Sequence, residues 1–273
     1  MRYGRFGGAV LAAWLLAASA GSAAAAACGG ADSFPAWLDA FKQSAVKSGI
    51  SEATVAAAFN GVAFDPRIIA LDHKQGYFHQ SFERFAATRV TPGKIERGKQ
   101  ILRERAGLFQ KIEARFGVPG PVLVAIWGLE TGFGAGSGNV PSIRSLATLA
   151  HDCRRSDFFK DQLLSALKIL DRRDLSVSGM HGGWAGELGQ TQFMPSSYVK
   201  FAVDFDGDGR RDLITSPADV LASTANYLKG YGWRAGQPFT EGTANFNVLL
   251  QWNKAQVYCK TIAYFAARLL SSG

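Results

Sequence analysis

From Ser33 onward, apolar residues recur at helical spacing, and capping and breaking residues fall where such helices should begin and end. SFPAWLDAFKQSAVKSG opens on a serine cap with an early proline and closes on glycine, and ISEATVAAAFNG repeats that logic. TPGKIERGKQILRERAGLFQKIEARFG predicts one longer amphipathic helix ending at Gly117. GVPGPVLVAIWGLETGFGAGSG predicts a short helix, opened by Pro119 and Pro121 and stopped by Gly132 and Gly134. Two more helices are expected over 142–152 and 157–170, and an amphipathic one over VYCKTIAYFAARLL. Strand-like alternation extends beyond a few residues only in FTEGTANFNV, 239–248. The fold class is therefore mostly α.

The N-terminus falls outside this pattern. MRYGRFGGAVLAAWLLAASAGSAAAAACGG carries Arg2 and Arg5, an apolar run from Ala9 to Ala18, then small residues. That is the layout of a secretory signal peptide, expected over 1–27 with cleavage near Ala26 or Ala27. The run is too short and alanine-rich for a membrane span. Cys28 lacks the large aliphatic residue three positions earlier that a lipoprotein signal carries. The formal charge of +8 includes the two leader arginines, which leaves +6 spread without any run of five like charges. Such an excess suits an anionic polymer, whereas nucleic acid calls for a concentrated basic stripe, so no nucleic-acid partner is expected. Three cysteines in an oxidising compartment make one pair and one spare. Cys28 with Cys153 is the favoured pair, because Cys259 sits in a helical stretch as a small buried residue.

Candidate chemistry starts at AIWGLETGFG, where Glu130 is the only carboxylate among apolar and small residues in the last turn of its helix. The negative end of the helix dipole and the apolar neighbours both disfavour its charged form. Such a carboxyl stays protonated near neutrality, as a general acid for glycoside cleavage must. The alternative is a glutamate that merely points to solvent from a helix end.

AIWGLETGFG, GWAGELGQTQFMPSSY, DFDGDGRRDL, ANYLKGYGW and WNKAQVYCKTIAYFAARL, in that order, resemble the lytic murein transglycosylases of the membrane-bound type B family, here as a soluble member. The resemblance implies a lysozyme-like core over 113–239 with Glu130 as its single catalytic residue. An additional helical lobe would cover 28–112 and be completed by 240–273. It further implies cleavage of the MurNAc–GlcNAc β-1,4 bond of peptidoglycan without water, leaving a 1,6-anhydromuramoyl end. Glu130 would protonate the leaving oxygen and then accept the proton of the muramoyl C6 hydroxyl. Gln192 would supply an amide beside Glu130, with Phe193 and Met194 as apolar walls; Tyr198 would pack. Tyr227, Trp252, Asn253 and Tyr258 correspond to positions that line the glycan groove, although each aromatic taken alone reads as core. Gly183 stands where the family often has a serine. Glu187 stands where many relatives carry a small residue, and it reads either as a salt-bridged helix-end charge or as a second catalytic group.

DFDGDGRRDL carries a further signal. Asp204, Asp206 and Asp208 alternate ahead of Gly209, as at the opening of an EF-hand calcium loop, but Thr215 holds the twelfth position. By the resemblance, Asp219 supplies a late ligand and Arg210 its carbonyl, which completes an EF-hand-like loop at 204–219. SPAD equally reads as Ser216 capping a helix with Asp219 in its first turn. The ion would be structural Ca2+, and catalysis needs no cofactor. His73, His79, His151 and His181 share no ligand spacing and read as surface or packing residues. The expected partners are peptidoglycan glycan strands and, beyond them, other cell-wall enzymes. The expected state is a monomer and the expected location is the periplasm. Two other readings stay open: a muramidase that uses water, and a wall-binding protein without turnover.

Overall fold

The structure, a computed structural model, describes residues 29–74 and 80–271. The signal peptide expected over 1–27, Cys28 with its expected pairing, and His79 lie outside the described residues.

Thirteen helices and one two-residue ribbon make up the described chain. The first four are α1 (Phe34–Lys47), α2 (Glu52–Ala58), α3 (Pro66–His73) and α4 (Phe82–Arg89). Local caps set several starts: Ser51 accepts from Thr54 N, Asp65 from Arg67 N, and Ser81 from Arg84 N. Ser33, by contrast, makes no cap bond; its hydroxyl meets the Gly30 carbonyl and the His151 ring instead.

The single helix expected up to Gly117 is broken in two, α5 (Pro92–Glu104) and α6 (Ala106–Phe116), at Arg105 with φ −116°. The two halves serve different neighbours, which one straight rod would not reach. Gly98 and Ile101 of α5 are buried, with Gly98 against Leu269 and Val124. Phe109, Ile112 and Phe116 of α6 face α7 (Gly120–Thr131) and α11 (Pro217–Gly230). Gly117, at φ 75°, turns the chain by 107° into α7.

The centre of the molecule is α7, whose residues 122–128 are all buried. It is enclosed by α5, α6, α11 and α13 (Gln256–Leu270). A second layer begins with β1 (Val140–Pro141), α8 (Ser142–His151) and α9 (Ser156–Asp171). It ends with β2 (His181–Gly182), antiparallel to β1, and α10 (Pro195–Phe201) against α9. The helices before residue 112 divide between two faces: α1 to α3 cover α8 and α9, while α4 and α5 join α13 over α7. The N- and C-terminal segments meet at that second face.

The strand-like alternation at 239–248 is overridden. Thr243 accepts from Phe246 N and opens α12 (Ala244–Trp252), which buries Phe246, Val248 and Leu249. Cys153 is disulfide-bonded and Cys259 is a buried free thiol. The ring of His151 sits among Phe34, Trp37 and Phe64. His73 stands by Asp72 and Asp152, but Asp72 is already bonded to Arg154 and Arg155. No single described helix is long and apolar enough to cross a membrane.

Gly128 tests the closeness of the central packing. Alanine in place of a helical glycine ordinarily gains about 1 kcal/mol. Here a Cβ would stand 2.7 Å from a ring atom of Phe133 and 2.9 Å from one of the fully buried Phe265. Overpacking of this kind costs about 1–3 kcal/mol, so Gly128→Ala is expected to lower the urea unfolding midpoint. An unchanged or raised midpoint would show that the rings yield.

Candidate active site

Glu130 takes its position from the end of α7. Gly132, at φ 62° and ψ 45°, stops the helix in the left-handed conformation open to glycine. The last turn is then tied to the segment 182–193. The Thr131 hydroxyl donates to the Gln190 carbonyl at 2.5 Å, and Trp127 Nε1 to Gln190 Oε1 at 3.0 Å. Gln190 Nε2 in turn donates to the Ile214 carbonyl at 2.7 Å. Beside this clamp, Leu188 and Phe193 exchange both main-chain bonds at 2.8 Å around a tight turn, in which Gln192 has φ 52°.

A cleft of about 340 Å³ opens over this turn. It brings together Glu130, Gln192, Phe193, Met194, Tyr227, Trp252 and Asn253 from four separate stretches of chain. Gln192 spends its Nε2 on the carbonyls of Ser137 (3.0 Å) and Gly189 (2.8 Å), so only its Oε1 remains for the cleft. Phe193, Tyr227 and Trp252 pack edge to face, with centroids 4.9–5.8 Å apart. The Tyr227 hydroxyl donates to the Gln251 carbonyl at 2.6 Å, and Asn253 Oδ1 accepts from Ala255 N at 2.9 Å. Tyr227 and Phe193 are buried, and the half-buried Trp252 and Met194 form the exposed rim. Tyr198 packs as expected, fully buried, with its hydroxyl donating to the Arg211 carbonyl. Larger hollows elsewhere lack this convergence; in one, Asp171 is already bonded to Ser51 and Thr54.

Trp252 Nε1 donates to Glu130 Oε1 at 2.8 Å. Burial pushes the Glu130 carboxyl above the usual carboxylate range, and the charge of Glu187 pushes it the same way. The Trp252 N–H and the Tyr258 hydroxyl pull it back without cancelling the rise. Tyr258 lies behind the carboxyl, its hydroxyl buried and making no hydrogen bond of ordinary geometry, and its own pKa is driven up by burial and by Glu130.

Glu187 departs from the salt-bridge expectation. It lies in the loop after β2, off any helix, and faces the cleft. Among the described residues no cationic side chain pairs with it; Arg155, which acts on it through space, is bonded to Asp72. Its Oε2 accepts from Ala185 N at 3.1 Å, and burial raises its pKa. Ser197, in the first turn of α10, also lines the cleft, and nothing in its sequence context singles it out.

In the aspartate loop, carboxylate oxygens of Asp204, Asp206 and Asp219 lie within 4.8 Å of one another. Asp208 does not join them; it pairs with the Arg210 guanidinium at 3.1 Å and accepts from Arg210 N at 2.9 Å. Of the two readings of Asp219, the cap at the start of α11 is seen directly, and the carboxylate lies beside those of Asp204 and Asp206. Ser216 caps α11 through Asp219 N, while the buried Asp219 carboxylate accepts from Phe205 N (2.7 Å) and Asp212 N (2.8 Å). Three hard oxygen donors in one place fit a calcium ion.

The balance at Glu130 gives a measurable sign. Its carboxyl resonance is expected to titrate above the usual carboxylate range in carbon NMR, and higher still in Trp252→Phe, because the lost N–H favoured the charged form. Titration at an ordinary carboxylate value would remove the basis for a protonated acid at this position.

A family described as the Transglycosylase SLT domain matches residues 33–243. Membrane-bound lytic murein transglycosylase B of Escherichia coli (strain K12) is 34% identical over 154 residues, 56% of this chain and 42% of that protein. The matched stretch is thus less than half of that relative's length. SltB3 from Pseudomonas aeruginosa, solved in complex with NAG-anhNAM-pentapeptide, superposes with a TM-score of 0.80 at 35% identity, over 85% of this chain and 78% of that one. Escherichia coli lytic transglycosylase Slt35, solved in complex with calcium, is alike in fold, with a TM-score of 0.77 at 22% identity over 85% and 92% of the two chains. The family match takes in most of the chain, and the mostly helical, lysozyme-like fold agrees with it: the protein belongs to the transglycosylase SLT domain family.

Proposed function

We propose that the protein is a lytic transglycosylase that cuts the MurNAc–GlcNAc β-1,4 bond of peptidoglycan glycan strands and leaves 1,6-anhydromuramoyl ends. The observation that carries this reading is Glu130: a carboxyl at the end of an apolar helix, open to the cleft and bonded to the rim tryptophan, whose pKa burial raises above the usual carboxylate range. The carboxyl gives its proton to the leaving glycosidic oxygen as the C1–O bond breaks. The resulting carboxylate takes the proton of the muramoyl C6 hydroxyl as that oxygen bonds to C1. One group serves as acid and then base, and the products hold the same atoms as the substrate. Trp252 Nε1 stabilises the carboxylate formed midway. The relative SltB3 is known with both NAG-anhNAM-pentapeptide and NAG-NAM-pentapeptide, ligands of this chemistry.

The aspartate loop is read as a structural calcium site held by Asp204, Asp206 and Asp219, in line with the calcium complex of Slt35. Asp208 would join only if its carboxylate left its pairing with the Arg210 guanidinium, and the Arg210 carbonyl is a further proposed ligand. The ion would brace the chain that ends at Leu213 and Ile214, whose carbonyls hold Gln190. A wall substrate, together with the signal-peptide layout of residues 1–27, supports a periplasmic location. One observation favours a hydrolytic alternative: Glu187 puts a second carboxylate in the cleft, and hydrolases of the retaining and inverting kinds use two.

Glu130→Gln is expected to abolish release of soluble fragments from purified peptidoglycan without lowering the melting temperature, since the amide keeps the shape but neither gives nor takes the proton. Appreciable turnover in that variant would sink the assignment. Products of the unaltered protein should be lighter by one water than hydrolysed ends and carry no oxygen from labelled water. For the loop, calcium added to chelator-treated protein should raise the melting temperature, and Asp204→Ala should remove the rise. Identical melting curves with and without calcium would dismiss the metal.

A further inference from the structure

The place of Glu187 in the cleft depends on a missing side chain. A Cβ on Gly183 would collide with Glu187 Oε2 and stand 3.0 Å from Gln192 Oε1. The carboxylate thus fills the volume that any side chain at 183 would take. Gln192, its Nε2 committed to two main-chain carbonyls, aims its Oε1 at the same spot. Beside Glu130 the cleft therefore presents acceptor oxygens from two residues. The only described donors to Glu187 are main-chain N–H groups, from Ala185 and from the residue itself. A half-buried carboxylate so poorly supplied costs stability. A ligand that brings donors to that spot relieves the cost.

We propose that Glu187 is a substrate-binding residue: together with Gln192 it accepts hydrogen bonds from hydroxyl or acetamido N–H donors of the sugar seated beside Glu130, in a position that Gly183 keeps open. The proposal rests on the glycan-cleaving reading of the site. It assigns Gly183 and Glu187 to one unit, in which the absent side chain at 183 admits the acidic one at 187. It also leaves Glu130 as the proton donor, with Glu187 positioning the sugar.

The test is steady-state cleavage of purified glycan strands by the unaltered protein, Glu187→Ala, Gly183→Ala and the double variant, alongside melting curves and calorimetric binding of NAG–NAM fragments in a Glu130→Gln background. Loss of a charge-assisted hydrogen bond predicts a fall of roughly ten- to a hundredfold in kcat/KM and in fragment affinity for Glu187→Ala, with the melting temperature unchanged or raised. Gly183→Ala should fall similarly, because it displaces the carboxylate. The double variant should be no worse than Glu187→Ala alone, since both changes remove the same contact. Wild-type kcat/KM and affinity in Glu187→Ala would overturn the proposal, as would a loss that merely follows a drop in melting temperature. Labelled-water oxygen in the wild-type product that vanishes in Glu187→Ala would overturn it in favour of water activation. A wild-type chain that releases no product would sink the functional reading, while fragment binding would still decide the role of Glu187.

Discussion

The site depends on one buried amide. Gln190 takes the Trp127 N–H on its side-chain oxygen, gives its side-chain N–H to the Ile214 carbonyl, and takes the Thr131 hydroxyl on its main-chain oxygen. Its own N–H meets the Leu213 carbonyl at 2.9 Å. Four bonds from one residue thus join the C-terminal end of α7, the cleft turn and the end of the aspartate loop. Gly134 is part of the same lock, since a Cβ there would collide with the Gln190 side chain. Buried polar groups left without partners are costly, so the three segments hold one another in register or all lose bonds together. A rigid frame of this kind lets a carboxyl be held to the geometry that proton transfer needs.

That frame allows Glu130 to be uncomfortable. A carboxyl at the negative end of a helix, walled by apolar residues and faced by Glu187, would turn to water if the helix end were free. Gly132 halts the chain, Thr131 pins it, and the Trp252 N–H supplies one strong bond to the carboxyl. Because the folded-state pKa is raised, the stabilising balance at Glu130 is complete below the ordinary carboxylate range and declines as pH rises through the raised value. Glu187 is shifted the same way. The cleft therefore concentrates its electrostatic strain in the groups the chemistry would use, while the edge-to-face rings beneath carry the packing.

What was legible in the sequence was local. Pro119, Pro121 and Gly132 bracket α7 within a residue or two, and Ser51, Thr91 and Ser216 cap helices by bonds to N–H groups three residues on. The break at Arg105 was not legible: the amphipathic pattern runs through it, and only the different neighbours of α5 and α6 require it. FTEGTANFNV alternates like a strand, yet Thr243 turns it into a helix start. Asp208 fits the metal pattern by spacing and is nevertheless held by Arg210, two residues away.

The sequence offered Glu187 either as a salt-bridged charge or as a second catalytic group, and could not decide between them. In the sequence it is a lone acid in a glycine-rich bend, and a charge in such a place is usually solvated. What places it in the cleft is a relation between residues across the turn: Gly183 lacks a side chain exactly where the carboxylate folds back, and Gln192 has its amide nitrogen committed elsewhere. Neither residue carries that information alone. The same relation limits what could have replaced it, because a side chain at 183 and an acid at 187 compete for one volume. In this chain the volume is filled from position 187, by the tip of an acidic side chain.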